Sequence, residues 1–478
     1  MTDRLIAERL IADLRAALGD DGVLTDPGDR AGYETDLLKT RTGRALAVLR
    51  PRSTEQVSAA VRLCAAAGVA VVPQGGNTGF CGGATPPPDG SAVVLSTERL
   101  TRIRHLDLRG GHMTVEAGVT LADARAEAER HGRLLALHHG GLSSRIGGNV
   151  ATNAGGNNVL RYGMARALVL GLEVVLADGR VWNGLRALAK DNAGTDLKQL
   201  FVGTEGTLGI VTAAVLKLHP LPQAVAVATA LVAVPDPDAA LALLARLQAE
   251  IGEAMSAAEL IPRAGLDLHF ARTATRTGAR EPFDRPHDWQ VLVELGSASR
   301  FFDVAGALEA TVGAALEAGE ADDAVVAASE AQRAGLWALR EGLAVAQVET
   351  QGNLKNDTSV PVAAIPAFIQ DAGAAAAAVV PGCVPIPFGH LGDGNIHFNL
   401  NPPPGSDPQA FTARWPELVT AIEDVATRLG GSIAAEHGLG RSKVAAARRL
   451  KPALDLELMR RLKHALDPDG VLNPGVML

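Results

Sequence analysis

The spacing of apolar residues changes several times along the chain, and each change predicts an element. In MTDRLIAERLIADLRAAL apolar positions return every three or four residues with acids and bases between them, which predicts an amphipathic helix. Residues 1–45 therefore read as a helical lead-in. From Leu46 the pattern shortens. RALAVLRP reads as a strand that ends at a proline. STEQVSAAVRLCAAAG reads as a helix with Ser53 as N-cap, Gln56 three residues on and Gly68 closing it, and VAVVPQ reads as the next strand. This is a strand–helix–strand unit, for which a right-handed crossover is expected. AVVLST, TVEAGV, LEVVLADGRVW and GIVTAAVLKLHP follow as strands with turn residues between them.

After Pro220 the texture changes again. Residues 224–235 and 289–295 are strand-like, while 237–251, 301–318 and 328–351 carry helical periodicity. Such alternation predicts a second α+β domain built on an antiparallel sheet. Residues 414–478 are mostly helical in pattern, and no fixed-period repeat is present.

Composition narrows what these elements serve. At 478 residues and 47% hydrophobic, the chain needs two or three domains and has ample apolar material to fill them. A net charge of −8, no basic block and only 3% aromatic residues argue against a nucleic-acid partner. A local cluster of cations would still accept an anionic substrate. Cys64, Cys81 and Cys383 share no CxxC spacing, so they read as reduced thiols of a cytoplasmic protein. The N-terminus lacks the pattern of a signal peptide. The stretch from Ala363 to Val380 is interrupted by Pro366 and Asp371, so no integral membrane segment is expected.

Three loops are unusually rich in glycine. Pro73-Gln74-Gly75-Gly76-Asn77-Thr78-Gly79 follows a strand, and glycines there let backbone N–H groups converge on an anion. It is not a GxGxxG fingerprint, so a nicotinamide cofactor is poorly supported. Alone, such a loop is more often a tight turn. SSRIGGNVATNAGGNN (143–158) and GTEGTLGIV (203–211) repeat the texture, and three such loops argue for a large cofactor lying across one domain.

A fourth stretch carries different chemistry. In FGHLGDGNIHFN, His390 and His397 are seven residues apart, an offset that puts them on opposite faces of one straight strand. The GDGN between them is a turn signal, and a hairpin would bring both imidazoles to one place. EHGLG follows at 436–440. Two imidazoles and a carboxylate suit zinc, iron or manganese, although spacing alone favours ordinary histidines.

PQGGNTG, IGGNVATNAGG with YGMAR after it, and GTEGTLGIVT together resemble the FAD-binding domain of the vanillyl-alcohol oxidase-type flavoproteins. Within them the match is to the D-lactate / D-2-hydroxyglutarate dehydrogenase branch, from about residue 45 to the C-terminus. The resemblance implies an α+β chain with these parts: the lead-in 1–45, a two-subdomain FAD-binding domain at 46–222, an antiparallel-sheet substrate domain with the metal motif at 223–413, and a helical segment at 414–478.

It implies that Pro73, Gln74, Gly75, Gly76, Asn77, Thr78 and Gly79 hold the flavin diphosphate. It places Ser143, Gly148, Asn149, Thr152 and Asn153 near ring and ribitol, Ile210 near the adenine side, and Gly206 in the third cofactor loop. Asn77 stands where some relatives carry a histidine that binds FAD covalently, so the FAD is expected to be non-covalent. His390, His397 and Glu436 would ligate a divalent metal, zinc foremost. His437 would be the base, Asn399 a polar contact to substrate, and Arg340 and Lys355 the cations for a substrate carboxylate. Ala344 stands four residues after Arg340, where hydroxyglutarate enzymes have a threonine, which points to an acid with a smaller or more apolar side chain.

The activity implied is oxidation of a D-2-hydroxy acid, such as D-2-hydroxyglutarate or D-lactate. Electrons would pass to an electron-transfer flavoprotein, a quinone or a cytochrome, and a homodimer is the assembly relatives often adopt. The alternatives are a non-redox flavoenzyme such as the ether-lipid synthase, and a flavin-binding subunit of a glycolate-oxidising complex.

Overall fold

The computed structural model describes residues 2–222 and 227–478. The chain divides into two compact units. Unit 1 comprises residues 1–156, 163–221 and 436–478; unit 2 comprises 157–162 and 222–435. The C-terminal stretch from 414 is thus shared: its first helix, Trp415–Arg428, belongs to unit 2, and the helices Val444–Leu450 and Ala453–Leu466 belong to unit 1.

Unit 1 contains eleven strands among the described residues. They are β1 (Val23–Leu24), β2 (Ala45–Leu49), β3 (Ala70–Gln74), β4 (Ala92–Ser96), β5 (Ile103–Asp107), β6 (His112–Glu116), β7 (Arg133–Leu134), β8 (Val169–Val175), β9 (Val181–Gly184), β10 (Ile210–Lys217) and β11 (His219–Pro220). One sheet has the order β1-β2-β4-β3 and a second the order β5-β6-β10-β8-β9, while β7 and β11 pair separately. Two sheets in one unit agree with the expected two-subdomain arrangement. In the first sheet β2, β4 and β3 run parallel, as a strand–helix–strand unit requires. Its crossover helix is Thr54–Ala66, and the Ser53 hydroxyl accepts from the Gln56 N–H as the sequence predicts.

This helix and the N-terminal helix Thr2–Leu18 cover one face of the first sheet. Leu10, Leu14, Val57, Val61 and Cys64 pack there with Leu49, Val71, Val93 and Leu95. Leu472, near the C-terminus, joins the same core, and Val71 bridges to it.

Unit 2 is built on a seven-stranded sheet: β12 (Val227–Val234), β13 (Met255–Pro262), β14 (Trp289–Gly296), β15 (Asp323–Val326), β16 (Thr358–Ser359), β17 (Val384–His390) and β18 (Asn395–Asn401). The order is β15-β12-β14-β13-β17-β18-β16, and every pairing is antiparallel, as expected. Residues 224–226 of the expected first strand lie outside the described residues.

Helices cover both faces, which is why β12 and β14 read as nearly unbroken apolar runs instead of alternating ones. Ala230, Val232 and Val234 enter one core with Leu243, Leu308, Phe368 and Ile422; Leu231 and Ala233 enter the other with Leu266, Leu336, Leu339 and Leu343. The run Val362–Val379 is long and apolar enough to cross a membrane by length and composition. Within unit 2 its Ile365, Phe368, Ala372 and Ala376 are fully buried in the first of these cores.

Candidate active site

Unit 1 carries a groove where the three glycine loops meet. Its empty space is about 900 Å3, open solvent included. Pro73 to Gly79, Gly148, Asn149, Thr152, Gly206 and Ile210 line it, and so does His437. None of the backbone N–H groups of Gly76, Asn77, Thr78 and Gly79 donates a hydrogen bond among the described residues. Four consecutive free donors fit an anion such as a diphosphate. The loop can run here only because Gly76 lacks a side chain: a Cβ would lie 2.9 Å from the Ser143 carbonyl oxygen.

Several expected cofactor residues are engaged inside the protein. The Gln74 amide donates to the carbonyls of Tyr33 and Ala84, and the Asn77 amide to that of Thr35. These side chains shape the loop, while its backbone faces the groove. Ser143 and Asn153 do not line the groove; Ser144 and Arg145 do. Asn153 accepts from the Arg166 N–H and so fastens the second loop from outside.

His437 meets the Phe80 ring edge-on at 4.8 Å. Its turn is fixed by a residue that sequence reasoning missed. Glu205 Oε1 accepts from the N–H groups of Leu439 and Gly440 at 2.8 and 3.1 Å, and Oε2 from Gly440 at 3.0 Å. Burial raises the Glu205 pKa, and these backbone donors oppose the rise. The third glycine loop was read for its backbone, and nothing local distinguishes a carboxylate that works 234 residues away.

The metal motif folds as a hairpin in unit 2. His390 ends β17, Asn395 opposite it begins β18, and Phe388 pairs with His397. Residues directly opposite share a face, and so do residues two apart on one strand. His390 and His397 therefore stand on one face, with ring centroids 5.8 Å apart. The turn is closed by the N–H groups of Asp393 and Gly394 bonding to the His390 carbonyl. The Asp393 carboxylate accepts from the Asn395 N–H within this turn. Gly394 sits at φ +85°, and a Cβ there would strike the Val360 carbonyl.

The same face of β18 carries Asn395, His397, Asn399 and Asn401, while Ile396, Phe398 and Leu400 fill the core behind it. The Asn395 amide donates to Asp357 and to the Thr358 carbonyl. Asp357 also accepts from the N–H of Ala435, the residue before Glu436. Asn399 hydrogen-bonds Gln347 and accepts from the Asn356 N–H, so its amide holds the strand to the helix Glu330–Val348 and to the loop carrying Lys355.

The two expected substrate cations differ. Lys355 is exposed and makes no hydrogen bond or ion pair among the described residues, and partial desolvation lowers its pKa. Arg340 is buried, with its guanidinium 4.8 Å from the Phe388 ring centroid. Its Nε donates to Glu259 at 2.6 Å, and its two Nη groups make no hydrogen bond among the described residues. Glu259, on β13, was also missed from sequence. It pairs in register with His390 and accepts from His390 Nδ1 at 2.7 Å. Burial would raise its pKa, but the Arg340 charge and the hydrogen bonds from His390 and Arg340 outweigh that and hold it at about 2.

Comparison with known proteins extends this geometry. A family model for FAD-linked oxidases, C-terminal domain, matches residues 223–477, and one for an FAD binding domain matches 45–184. D-2-hydroxyglutarate dehydrogenase of Xanthomonas citri pv. viticola is 35% identical over 97% of this chain and 96% of that protein. The mitochondrial D-2-hydroxyglutarate dehydrogenase of Bos taurus is 37% identical over 95% and 81%. A D-2-hydroxyglutarate–pyruvate transhydrogenase of Saccharomyces cerevisiae is 31% identical over 97% and 93%. Among solved structures, p-cresol methylhydroxylase matches with a TM-score of 0.76 at 18% identity, over 98% of this chain and 96% of that one. An alkyldihydroxyacetonephosphate synthase matches with a TM-score of 0.73 at 19% identity, over 98% and 86%. At such identities these two share the fold alone.

Proposed function

Because the chain belongs to the FAD-linked oxidase family, we propose that it is an FAD-dependent dehydrogenase that oxidises a D-2-hydroxy acid, such as D-2-hydroxyglutarate or D-lactate, to the 2-oxo acid. The observation that carries this reading is the groove of unit 1, where four free backbone donors and His437 share one lining. The relatives' activity supplies the substrate class.

The residues fit both groups the family implies. Gly76 to Gly79 offer the N–H cradle for the FAD diphosphate, and Asn77 provides no covalent anchor, so the cofactor dissociates. His390 and His397 present two imidazoles from one face of a hairpin, and with the carboxylate of the EHGLG motif, Glu436, they would be the ligands of a divalent metal, zinc foremost. Bound flavin supplies a two-electron acceptor, and a bound divalent ion supplies a Lewis acid.

His437 removes the proton of the 2-hydroxyl while the C2 hydrogen leaves with its electron pair. Phe80 fixes the face that His437 presents, and Glu205 fixes the turn that carries it. The Nη groups of Arg340 and the ammonium of Lys355 hold the substrate's carboxylate, and Asn399 positions the Lys355 loop. Electrons leave to an external acceptor: an electron-transfer flavoprotein, a quinone or a cytochrome. Three buried cysteines outside any disulfide suit a reducing compartment such as the cytoplasm, and a homodimer is the assembly the family resemblance implies.

Turnover of D-2-hydroxyglutarate and D-lactate with a dye acceptor, followed by mass detection of the 2-oxo acid, tests the assignment. Formation of the oxo acid from a D-acid is expected. A flavin-loaded protein that consumes neither acid would favour a non-redox flavoenzyme or a non-catalytic flavin subunit.

A further inference from the structure

We infer that Glu259 is a positioning residue that ties the metal ligand His390 to the substrate cation Arg340, so that the two arms of the site are set together. The inference rests on the metal reading given above.

The register places Glu259 of β13 directly opposite His390 of β17. Its carboxylate divides between two partners, with Oε1 on His390 Nδ1 at 2.7 Å and Oε2 on Arg340 Nε at 2.6 Å. An ionised carboxylate can only accept, so Nδ1 carries the proton and Nε2 keeps its lone pair for an ion. The bond to Nε also fixes the plane of the guanidinium, which lies over Phe388 and leaves both Nη groups to act together on one carboxylate. A carboxylate with 1% of its surface exposed is tolerated only where both oxygens are matched by cationic or polar donors, so it constrains both partners at once. Removing the Arg340 charge leaves more of the Glu259 charge on His390, so the effect reaches the metal ligand without any contact between Arg340 and the ion.

The test is a double-mutant cycle on FAD-loaded protein stripped of metal with EDTA, reading Zn2+ affinity by competition with a chromophoric chelator. Glu259→Gln should weaken Zn2+ binding by at least about tenfold with FAD content unchanged. Arg340→Met should shift Zn2+ affinity by about fivefold in the wild-type background and not at all in Glu259→Gln. Glu259→Asp, which keeps the charge, should restore part of the loss. Equal effects of Arg340→Met in both backgrounds, or unaltered Zn2+ affinity in Glu259→Gln, would overturn the inference. His390→Ala separates the two claims. If it abolishes Zn2+ binding while Glu259→Gln does not weaken it, only the role of Glu259 falls; if it leaves Zn2+ bound, the metal reading falls and the inference with it. Should Glu259→Gln fail to fold, the comparison of Arg340→Met with Arg340→Lys still decides: both must shift Zn2+ affinity, and the charge-preserving variant must shift it less.

Discussion

Replacing Glu205 with alanine should damage stability and catalysis together. The carboxylate is the acceptor for two backbone donors, Leu439 N–H and Gly440 N–H, both on buried residues. Stranding a buried donor costs about 1–3 kcal/mol, so two give a gross loss of about 2–6 kcal/mol. Part of this is offset, because the variant no longer buries the carboxylate whose desolvation raises its pKa. The net loss should be about 1–3 kcal/mol, read as an earlier urea transition of the FAD-free protein. His437 sits two residues before Leu439, so its placement loosens too, and a displacement near 1 Å costs about 100-fold in kcat.

The pH dependence has a definite sign. The folded pKa of Glu205 is raised, so its contribution to stability is fully present below the ordinary glutamate pKa and is lost as pH rises through the raised value. Glu205→Gln cannot ionise, so the stability of wild type relative to this variant should fall across that window. A Glu205→Ala protein with wild-type urea stability and wild-type kcat would refute the reasoning.

Gly76→Ala should express as folded protein with little FAD, because its Cβ would press on the Ser143 carbonyl at the mouth of the cradle; the flavin-to-protein absorbance ratio checks it. Arg340→Ala should raise KM for the hydroxy acid and also destabilise unit 2 by about 3–5 kcal/mol, because Glu259 is left buried without its main counter-charge; steady-state kinetics and denaturant melts measure the two effects. His390→Ala and Glu436→Ala should each lose metal and most turnover while retaining FAD, read by elemental analysis beside the flavin spectrum.

Local chemistry made some parts of this molecule readable. Ser53, three residues before Gln56, announces a helix start, and the cap forms. The odd spacing of His390 and His397 demands a reversal, GDGN supplies it, and the hairpin puts both rings on one face. The glycine loops were legible because a backbone cradle needs residues without side chains. What stayed hidden depends on distant pairing. Glu259 is a single charge in the apolar run MSAAELIP, and its partner His390 is 131 residues away. Glu205 acts at a similarly long range. For Asn399 the family resemblance implies a polar contact to substrate, and its structural bonds are not visible in the local sequence. The partners that engage it, Gln347 and Asn356, are brought in by a helix and a loop that no local pattern connects to β18.

In the proposed reaction D-2-hydroxy acids deliver electrons to a flavin with help from the metal motif. Anaerobic mixing of FAD-loaded protein with D-2-hydroxyglutarate, its L-enantiomer and D-lactate, following flavin absorbance before and after EDTA, tests it most directly. Bleaching by a D-acid is expected, with none by the L-enantiomer and a loss of bleaching after EDTA that added zinc restores. Flavin that stays oxidised with every D-acid, or that bleaches at the same rate with and without EDTA, would contradict it.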